Sequence, residues 1–537
     1  MGTAGPRVQI VRRAWHNGAL RRVCLATAGF RVAELAVWIS LSAYAYAAGG
    51  VREASAVTVA QLTPATAFAL VTGGLIRRHG AARVLRYGLL VQSAALVIVA
   101  VLLHEHTNAA AFATATLAAS AVTTTRPTAS VLTPGMVDGP DELTAANVLS
   151  GALGAAAGLV GPATAAVLMS AVGTWAVFAV MAAVLAGATA AVWRLPDVVT
   201  ASDDEPDSLR ADIAAIRRAP GPRIMVLALS ACFVVIGALD VLAVVIAVEL
   251  LHRTEAYAGY VTSAVGAGAL VAGSVAFVLI GRRWIAPWIV VSGLAIGGAL
   301  AAVSVFHARV APSMLMLVVF GVASTLYELT ATMLLQRVSR LDLIGRVFAL
   351  VESLQMAMLA VGAAIVPVAV NVFGSRGAPA ALGIAFAIVV AALGTRIVVI
   401  DRNARVPITE MAILRVIPLF AALPGAALET VAREARRIEL EPGEVIVRQG
   451  DPGDHYFAVV SGRVMVAIDE TDLRTLTRGD GFGEIALLRD VPRSATVCAI
   501  DATVVLVVDR QPFLTAVTGH AATYERASSI ATAHLDR

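Results

Sequence analysis

The chain has 537 residues, 58% of them apolar and 15% charged, with a formal charge of +4 and a mean hydropathy of +0.80. Soluble domains run nearer to about 45–50% apolar and about 25% charged, so a single soluble domain, a disordered chain and a disulfide scaffold are excluded, the last because there are 3 cysteines (Cys24, Cys232, Cys498). All 41 basic residues are arginine, and in so apolar a chain they mark loops on one side of a membrane and not a nucleic-acid partner.

From Val23 to Ile400, apolar runs of about 20 residues alternate with short polar connections, the length a helix needs to cross a hydrocarbon core of about 30 Å. The pattern predicts twelve spans, at 23–48, 55–76, 84–103, 109–132, 144–171, 174–193, 224–250, 257–280, 285–306, 311–335, 345–372 and 378–400. The first follows Arg12, Arg13, Arg21 and Arg22 and is too long for a signal-peptide core, so it is expected to remain in the mature protein. Arg77, Arg78, Arg83, Arg86, Arg217, Arg218, Arg223, Arg282, Arg283, Arg337, Arg340, Arg346, Arg402 and Arg405 fall on the side of the N-terminus; Arg52, Arg253, Arg309 and Arg376 fall opposite. Both termini are therefore expected to be cytoplasmic, in a multi-pass protein of the plasma membrane.

An ionisable side chain deep in a bilayer costs at least about 2–3 kcal/mol, so each one in a span is a functional candidate. Arg31 and Glu34 share a face of the first span, Arg126 stands in the fourth, Asp240 in the seventh, Glu328 in the tenth and Glu352 in the eleventh. Opposite charges there can pair simply to hold helices together. Carboxylates that gain and lose an arginine partner between two conformations can also change protonation, which is what proton coupling requires. Asp240 and Glu328, with no basic neighbour in their own spans, are the expected titrating sites. In the fifth span Gly154, Gly158, Gly161 and Pro162 permit close helix approach and a bend.

The longest connection carries the acidic run Asp203, Asp204, Glu205 and Asp207 and reads as a solvated linker dividing the spans six and six. Thr128-Ala129-Ser130-Val131-Leu132 matches Thr330-Ala331-Thr332-Met333-Leu334, placing Arg126 and Glu328 at equivalent points. Asn147 and Glu352 likewise stand equally far ahead of Pro162 and Pro367. Two parallel six-helix halves follow from these matches.

The run Gly154-Ala155-Ala156-Ala157-Gly158-Leu159-Val160-Gly161-Pro162 resembles the glycine-rich fifth-helix motif of major facilitator superfamily exporters, with a generic packing motif as the alternative. Arg126 resembles that family's fourth-helix arginine, and Gly73-Gly74-Leu75-Ile76-Arg77-Arg78-His79-Gly80 its gating-loop signature. Arg77 stands where the family usually has aspartate, which puts the family's gating ion pair in doubt here. The resemblance covers about 380 residues and implies alternating access around a central cavity.

Beyond Ile400 charged residues return and β-branched residues alternate with polar ones between glycine turns, the mark of a soluble domain. Helices are predicted at 410–421 and 428–438, strands at 445–448, 455–461, 463–468, 473–476, 494–499 and 503–509, and a closing helical region from Gln511. Gly483 can bring backbone close to a ligand, the short helix opening at Glu484 presents N–H groups able to hold an anion, and Arg493 can grip a phosphate with a forked guanidinium.

The run Phe482-Gly483-Glu484-Ile485-Ala486-Leu487-Leu488, followed by Pro492-Arg493-Ser494-Ala495-Thr496-Val497, resembles the phosphate-binding cassette of cyclic-nucleotide-binding domains. Gly443, Gly450, Asp454, Tyr456 and Gly462 fall where that β-roll family places its turns and strands. The resemblance implies a cyclic-nucleotide site of Gly483, Glu484, Ile485, Ala486, Leu487, Arg493, Ser494 and Ala495, with Glu484 on a ribose 2′-hydroxyl. Leu487, Leu488 and Val497 are either apolar walls of that site or ordinary core. Kinase-type relatives preferring cGMP tend to carry threonine after the arginine and cAMP-selective ones alanine; Ser494 matches the bacterial catabolite activator protein, so cAMP is expected over cGMP. Tyr524 is one candidate to cap the base.

The fold class expected is thus a polytopic α-helical membrane protein of twelve transmembrane helices in two six-helix halves, with a C-terminal β-roll cyclic-nucleotide-binding domain and flanking helices. Its parts are 1–194 and 223–400 (the halves), 195–222 (the central loop), 401–412 (a linker) and 413–537 (the nucleotide domain). No catalytic motif, metal-ligand cluster or phosphate loop of the ATPase kind occurs, so the expectation is a non-enzymatic, proton-coupled exporter of an amphipathic small molecule or lipid-like anion, without a metal, controlled by cAMP. Its partners are substrate, protons, cyclic nucleotide and membrane lipid, with no nucleic acid. The rival reading is a membrane sensor that binds a ligand without moving it.

Overall fold

The computed structural model describes residues 17–105, 107, 109–116, 125, 128, 132, 136, 140–195, 220–279, 284–339, 341–403, 408–421, 423, 425–469 and 471–518. The chain divides into two compact units, Met1–Met136 with Ala145–Ala404, and Val137–Thr144 with Arg405–Arg537.

The first unit is helical. It contains α1 (Gly18–His79), α2 (Ala81–His104), α3 (Pro140–Ala171), α4 (Thr174–Val192), α5 (Pro220–Val245), α6 (Ala258–Leu279), α7 (Ala286–Val305), α8 (Val310–Val338) and α9 (Leu341–Asn403). Asn17 starts α1 by accepting from the Ala19 and Leu20 amides. As an unbroken rod α1, 62 residues long, would measure about 93 Å, three times the hydrocarbon thickness. It is instead two helices joined at Gly49 and Gly50, where φ reaches +72°, and α9 is broken in the same way at Gly374, φ +71°. The first and second expected spans therefore share α1, and the eleventh and twelfth share α9. The expected fourth span, 109–132, lies for the most part outside the described residues, as do Arg126 and the central loop from 196 to 219.

Among the described residues 8 helices are long and apolar enough to cross a membrane. Their outward faces carry apolar side chains such as Ile98, Val101, Val291, Val368 and Ile388, an arrangement suited to lipid and costly in water. Glycine brings the helices together. A Cβ on Gly237 of α5 would lie 2.1 Å from the Leu359 carbonyl oxygen of α9, one on Gly362 of α9 2.0 Å from that of Val234, and one on Gly321 of α8 2.0 Å from that of Val265. The α5 span is the most enclosed, 72% of its apolar window being buried against 28% for α3.

The second unit begins with α10 (Ile408–Val416) and α11 (Gly425–Glu434), followed by β1 (Arg436–Leu440), β2 (Val445–Val447), β3 (His455–Ser461), β4 (Val464–Ile468), β5 (Thr471–Leu476) and β6 (Gly481–Phe482). A short helix α12 (Glu484–Arg489), then β7 (Thr496–Ala499), β8 (Thr503–Asp509) and α13 (Arg510–Thr518), complete it. The strands form two four-stranded antiparallel sheets, ordered β1-β8-β3-β6 and β2-β7-β4-β5. Alternation along β3 and β8 serves two cores at once. Phe457, Val459, Val505 and Val507 fill the space between the sheets, while Tyr456, Ala458, Leu506 and Val508 pack on Phe420, Leu428, Val431 and Phe513 of the helical side.

Two sequence expectations are corrected here. The helix predicted to run through Ile438 stops at Glu434, because Arg436–Leu440 pairs along its whole length with β8, and that ladder outweighs a helical local preference. The helix predicted to reach Ala421 ends at Val416, ahead of Pro418, which disfavours helical geometry at Ile417.

Candidate functional site

In the second unit the cassette closes around Arg493. Its main chain is fixed first: Arg493 N–H donates to Asp451 O (2.9 Å) and its carbonyl accepts from Gly450 N–H (2.8 Å). The guanidinium then donates from Nη1 to Gly483 O (3.2 Å) and from Nη2 to His455 O (2.7 Å), and lies 5.6 Å from the centre of the Phe457 ring. That ring is stacked on Phe482. Arg493 is 6% exposed, and its Nε is buried with no hydrogen-bond partner among the described residues. Burial pulls its pKa down while the carboxylates of Asp454 and Glu484 hold it up, so a cation is kept in a half-dry site with a donor to spare.

Gly483 makes this geometry possible. Its φ is +96°, and a Cβ there would sit 2.6 Å from Arg493 Nη1 and 3.0 Å from His455 O. Glu484 is 3% exposed at the first position of α12, and its charge, after burial itself, raises the pKa of the enclosed Tyr456 phenol. A cavity of about 190 Å³ opens beside these groups. Gly483, Glu484, Ile485, Ala486, Arg493, Ser494 and Ala495 line it. Leu487 does not line it: this side chain is 2% exposed and belongs to the core with Phe420 and Phe513, as the outward turn of α12 requires. Val497 lines the cavity, and Tyr524 lies outside the described residues.

Three contributors escaped the sequence reading. Gly453 lies so close that a Cβ would be 2.4 Å from that of Ala486 and 3.3 Å from Arg493 Cζ. Phe457 lies under the guanidinium, and Arg474 reaches the cavity from β5, opposite Val466 in register.

In the helical unit, Arg31 Nη1 donates to Glu34 Oε2 at 2.8 Å, with the glutamate side chain 2% exposed and the arginine 30%. Arg31 interacts electrostatically with Glu328 on α8, and Glu328 with Cys232 of α5. Glu328 is exposed. Asp240 is half-buried and makes no hydrogen bond or ion pair among the described residues. Glu352 is exposed. Arg31 and Glu34 thus form an ion pair, with Glu328 within the electrostatic reach of Arg31.

The fifth-span motif is used unevenly. A Cβ on Gly154 meets nothing within 4 Å, and one on Gly158 meets only the Gly266 Cα at 3.6 Å, whereas one on Gly161 would be 2.7 Å from Val32 O. The tighter partner is on α6: a Cβ on Gly266 would lie 2.2 Å from Gly158 O, and one on Gly259 2.4 Å from Pro162 O. The sequence reading also passed over Glu249, whose carboxylate accepts from Tyr46 and Ser375.

Comparison with known proteins agrees with this division. The model of the Major Facilitator Superfamily matches residues 23–363, and that of the cyclic nucleotide-binding domain matches residues 437–520. Among curated proteins, the acetyltransferase Pat of Mycolicibacterium smegmatis is 40% identical over 104 residues, 19% of this chain and 31% of that one. The cAMP-dependent protein kinase regulatory subunit of Dictyostelium discoideum is 44% identical over 84 residues, 14% and 26% of the two chains. The solved regulatory domain of Toxoplasma gondii PKA with cAMP is 23% identical, covers 26% of this chain and 54% of its own, and has a TM-score of 0.23. This chain spans less than a third of the length of the curated relatives named.

Proposed function

This chain belongs to the Major Facilitator Superfamily and carries a cyclic nucleotide-binding domain, and on that footing we propose that it is a proton-coupled exporter of an amphipathic small molecule or lipid-like anion whose activity is set by cAMP. It resides in the plasma membrane with both termini in the cytoplasm, its twelve spans arranged as two six-helix halves that alternate access to a central cavity.

The observation that carries the regulatory half is the setting of Arg493. Two main-chain carbonyls aim a buried guanidinium at the cavity and leave Nε undischarged, and the adjoining Glu484 supplies an acceptor for a ribose hydroxyl. A cyclic phosphate would take the guanidinium and its sugar the carboxylate. Ser494, at the cavity edge, favours cAMP through the likeness already drawn. On the membrane side, the acidic groups Asp240 and Glu328 lie inside the helical unit, and Glu328 shares the field of Arg31 with Glu34. Substrate entry that displaces Arg31 from either carboxylate would change its affinity for a proton.

Nucleotide can shift the carrier only by binding one conformation better than the other, and substrate must then alter nucleotide affinity by the same factor. Calorimetry on the full chain in nanodiscs tests the regulatory half: cAMP is expected to bind more tightly than cGMP, and no heat from either would end the assignment. In proteoliposomes with an imposed pH gradient, a panel of fluorescent amphipathic anions should exchange and carry protons, both lost in Asp240→Asn or Glu328→Gln. Binding of such compounds with no exchange under any gradient would instead establish the sensor.

A further inference from the structure

We propose that Glu249 is a latch that holds the helical unit shut at the membrane face remote from Gly18, a role that rests on the transport reading above. The seventh span does not end as an α-helix. After Val245 it widens into a π-turn, Ile246–Leu250, closed by Leu251 N–H to Ile246 O and Arg253 N–H to Ala247 O. Residues 241–247 are buried without interruption, and the π-turn then swings Glu249 out to an exposed position. Single π-turns of this kind often occur where a helix re-aims a functional side chain.

The Glu249 carboxylate accepts from Tyr46 Oη on one oxygen and from Ser375 Oγ on the other. Both donors stand beside a chain reversal. Tyr46 precedes the Gly49–Gly50 break of α1, and Ser375 directly follows the Gly374 break of α9. One carboxylate therefore ties together the turn between the first two spans, the end of the seventh and the turn between the last two. The break in α1 lies about 46 Å of helix from Gly18, so all three points are on the far face.

Other contacts between early and late helices gather toward the same end. Ser55, five residues past the break, donates to Ala363 O at 2.8 Å, and Ser263 of α6 donates to Leu159 O of α3 at 3.0 Å. Gly259, at the start of α6, touches Pro162 with room for no side chain. The two serine contacts are neutral hydrogen bonds to main-chain carbonyls, and the glycine contact is one of shape. Glu249 supplies an ionic acceptor with two oxygens, which two hydroxyl donors satisfy at once; glutamine would offer one acceptor and turn an N–H₂ toward the other hydroxyl. Parting the two halves at this face requires the carboxylate to release Tyr46 of the first half, while Ser375 of the second half holds it in place.

The test uses Ser55→Cys as the sole cysteine, in a chain carrying Cys24→Ala, Cys232→Ala and Cys498→Ala, labelled on intact cells with a membrane-impermeant maleimide. Ser55 is 5% exposed, so labelling should be slow. Adding Glu249→Ala, or Tyr46→Phe with Ser375→Ala, is expected to raise the rate at least about tenfold, Glu249→Gln by less, and Glu255→Gln not at all. Unchanged nucleotide binding and gel-filtration profiles certify that each variant is folded. Parental labelling rates in both latch-breaking variants would overturn the proposal, as would acceleration confined to inverted vesicles, which would place the turn on the opposite face. The readout needs no substrate, so a protein that transports nothing still reports the latch, and loss of the transport reading is seen separately in the proteoliposome assay.

Discussion

Replacing Arg493 by alanine removes the group on which nucleotide recognition turns, and the structure sets the size of the loss. Truncating one member of a buried, hydrogen-bonded charge pair costs about 2–5 kcal/mol, and about 1.4 kcal/mol is tenfold in affinity. The side chain is 6% exposed, is aimed in advance by Gly483 O and His455 O, and keeps a buried Nε available. Water cannot replace it well, and little ordering remains to be done on binding, so the upper part of that range applies: about 4 kcal/mol, or roughly 1,000-fold weaker cAMP binding. Arg493→Lys keeps the charge but cannot hold two carbonyls and a phosphate with one forked plane, and should fall between, at about 10- to 100-fold. The alanine variant also strands two carbonyls, a stability cost of about 1–3 kcal/mol; a melting curve without nucleotide must accompany the calorimetry, both on the full chain. An alanine variant that is folded and binds within threefold of the parent refutes the reasoning.

Gly483→Ala forces a Cβ to 2.6 Å from Arg493 Nη1 at φ +96°, a backbone cost of about 1–2 kcal/mol before the clash is counted; nucleotide affinity should drop at least tenfold in the same titration. In the helical unit Gly266→Ala should lower the melting temperature in detergent, because its Cβ would meet Gly158 O at 2.2 Å, whereas Gly154→Ala, with nothing within 4 Å, should leave it unchanged or raise it slightly. Equal effects would show that the two glycines share one role. Asp501 accepts from the Arg463 side chain and amide, and these hydrogen bonds, with that of Thr503, hold its carboxyl below the ordinary aspartate range. A depressed folded value stabilises at pH above the unfolded value of about 3.9 and is lost as pH falls through the lower folded one. The melting temperatures of parent and Asp501→Asn should therefore differ at pH 6, and the gap should narrow on acidification below about 3.9; a gap that widens on acidification would reverse the assignment.

Much of the cassette was legible because its chemistry is local. Gly483 and Glu484 are neighbours, Arg493 follows within one short helix and turn, and each residue type is nearly dictated by a positive φ, a helix start or an anion. Leu487 reads from the sequence as either a cavity wall or core because a six-residue helix presents apolar side chains to two sides, and only packing against Phe420 and Phe513 decides between them. The first three residues of β1 were read as helix for a related reason: its ladder partner, β8, lies more than sixty residues away. The fifth-span motif showed small residues but not which of them are tight, since closeness belongs to the pair Gly158 and Gly266 and not to either alone.

Hydropathy and glycine spacing, read along the chain, settled that a lipid-embedded helical part precedes a soluble β domain, because the length of an apolar run and the alternation of a strand are properties of consecutive residues. Partnerships between distant residues came only with the three-dimensional arrangement. Glu328 shows no basic neighbour in its own span, yet the fold sets it in the field of Arg31; Glu249 looks like an ordinary helix-end carboxylate until Tyr46 and Ser375 are brought to it by two glycine breaks. Charges and hydrogen-bond donors act through space over a few ångströms, and the sequence orders residues only along a line.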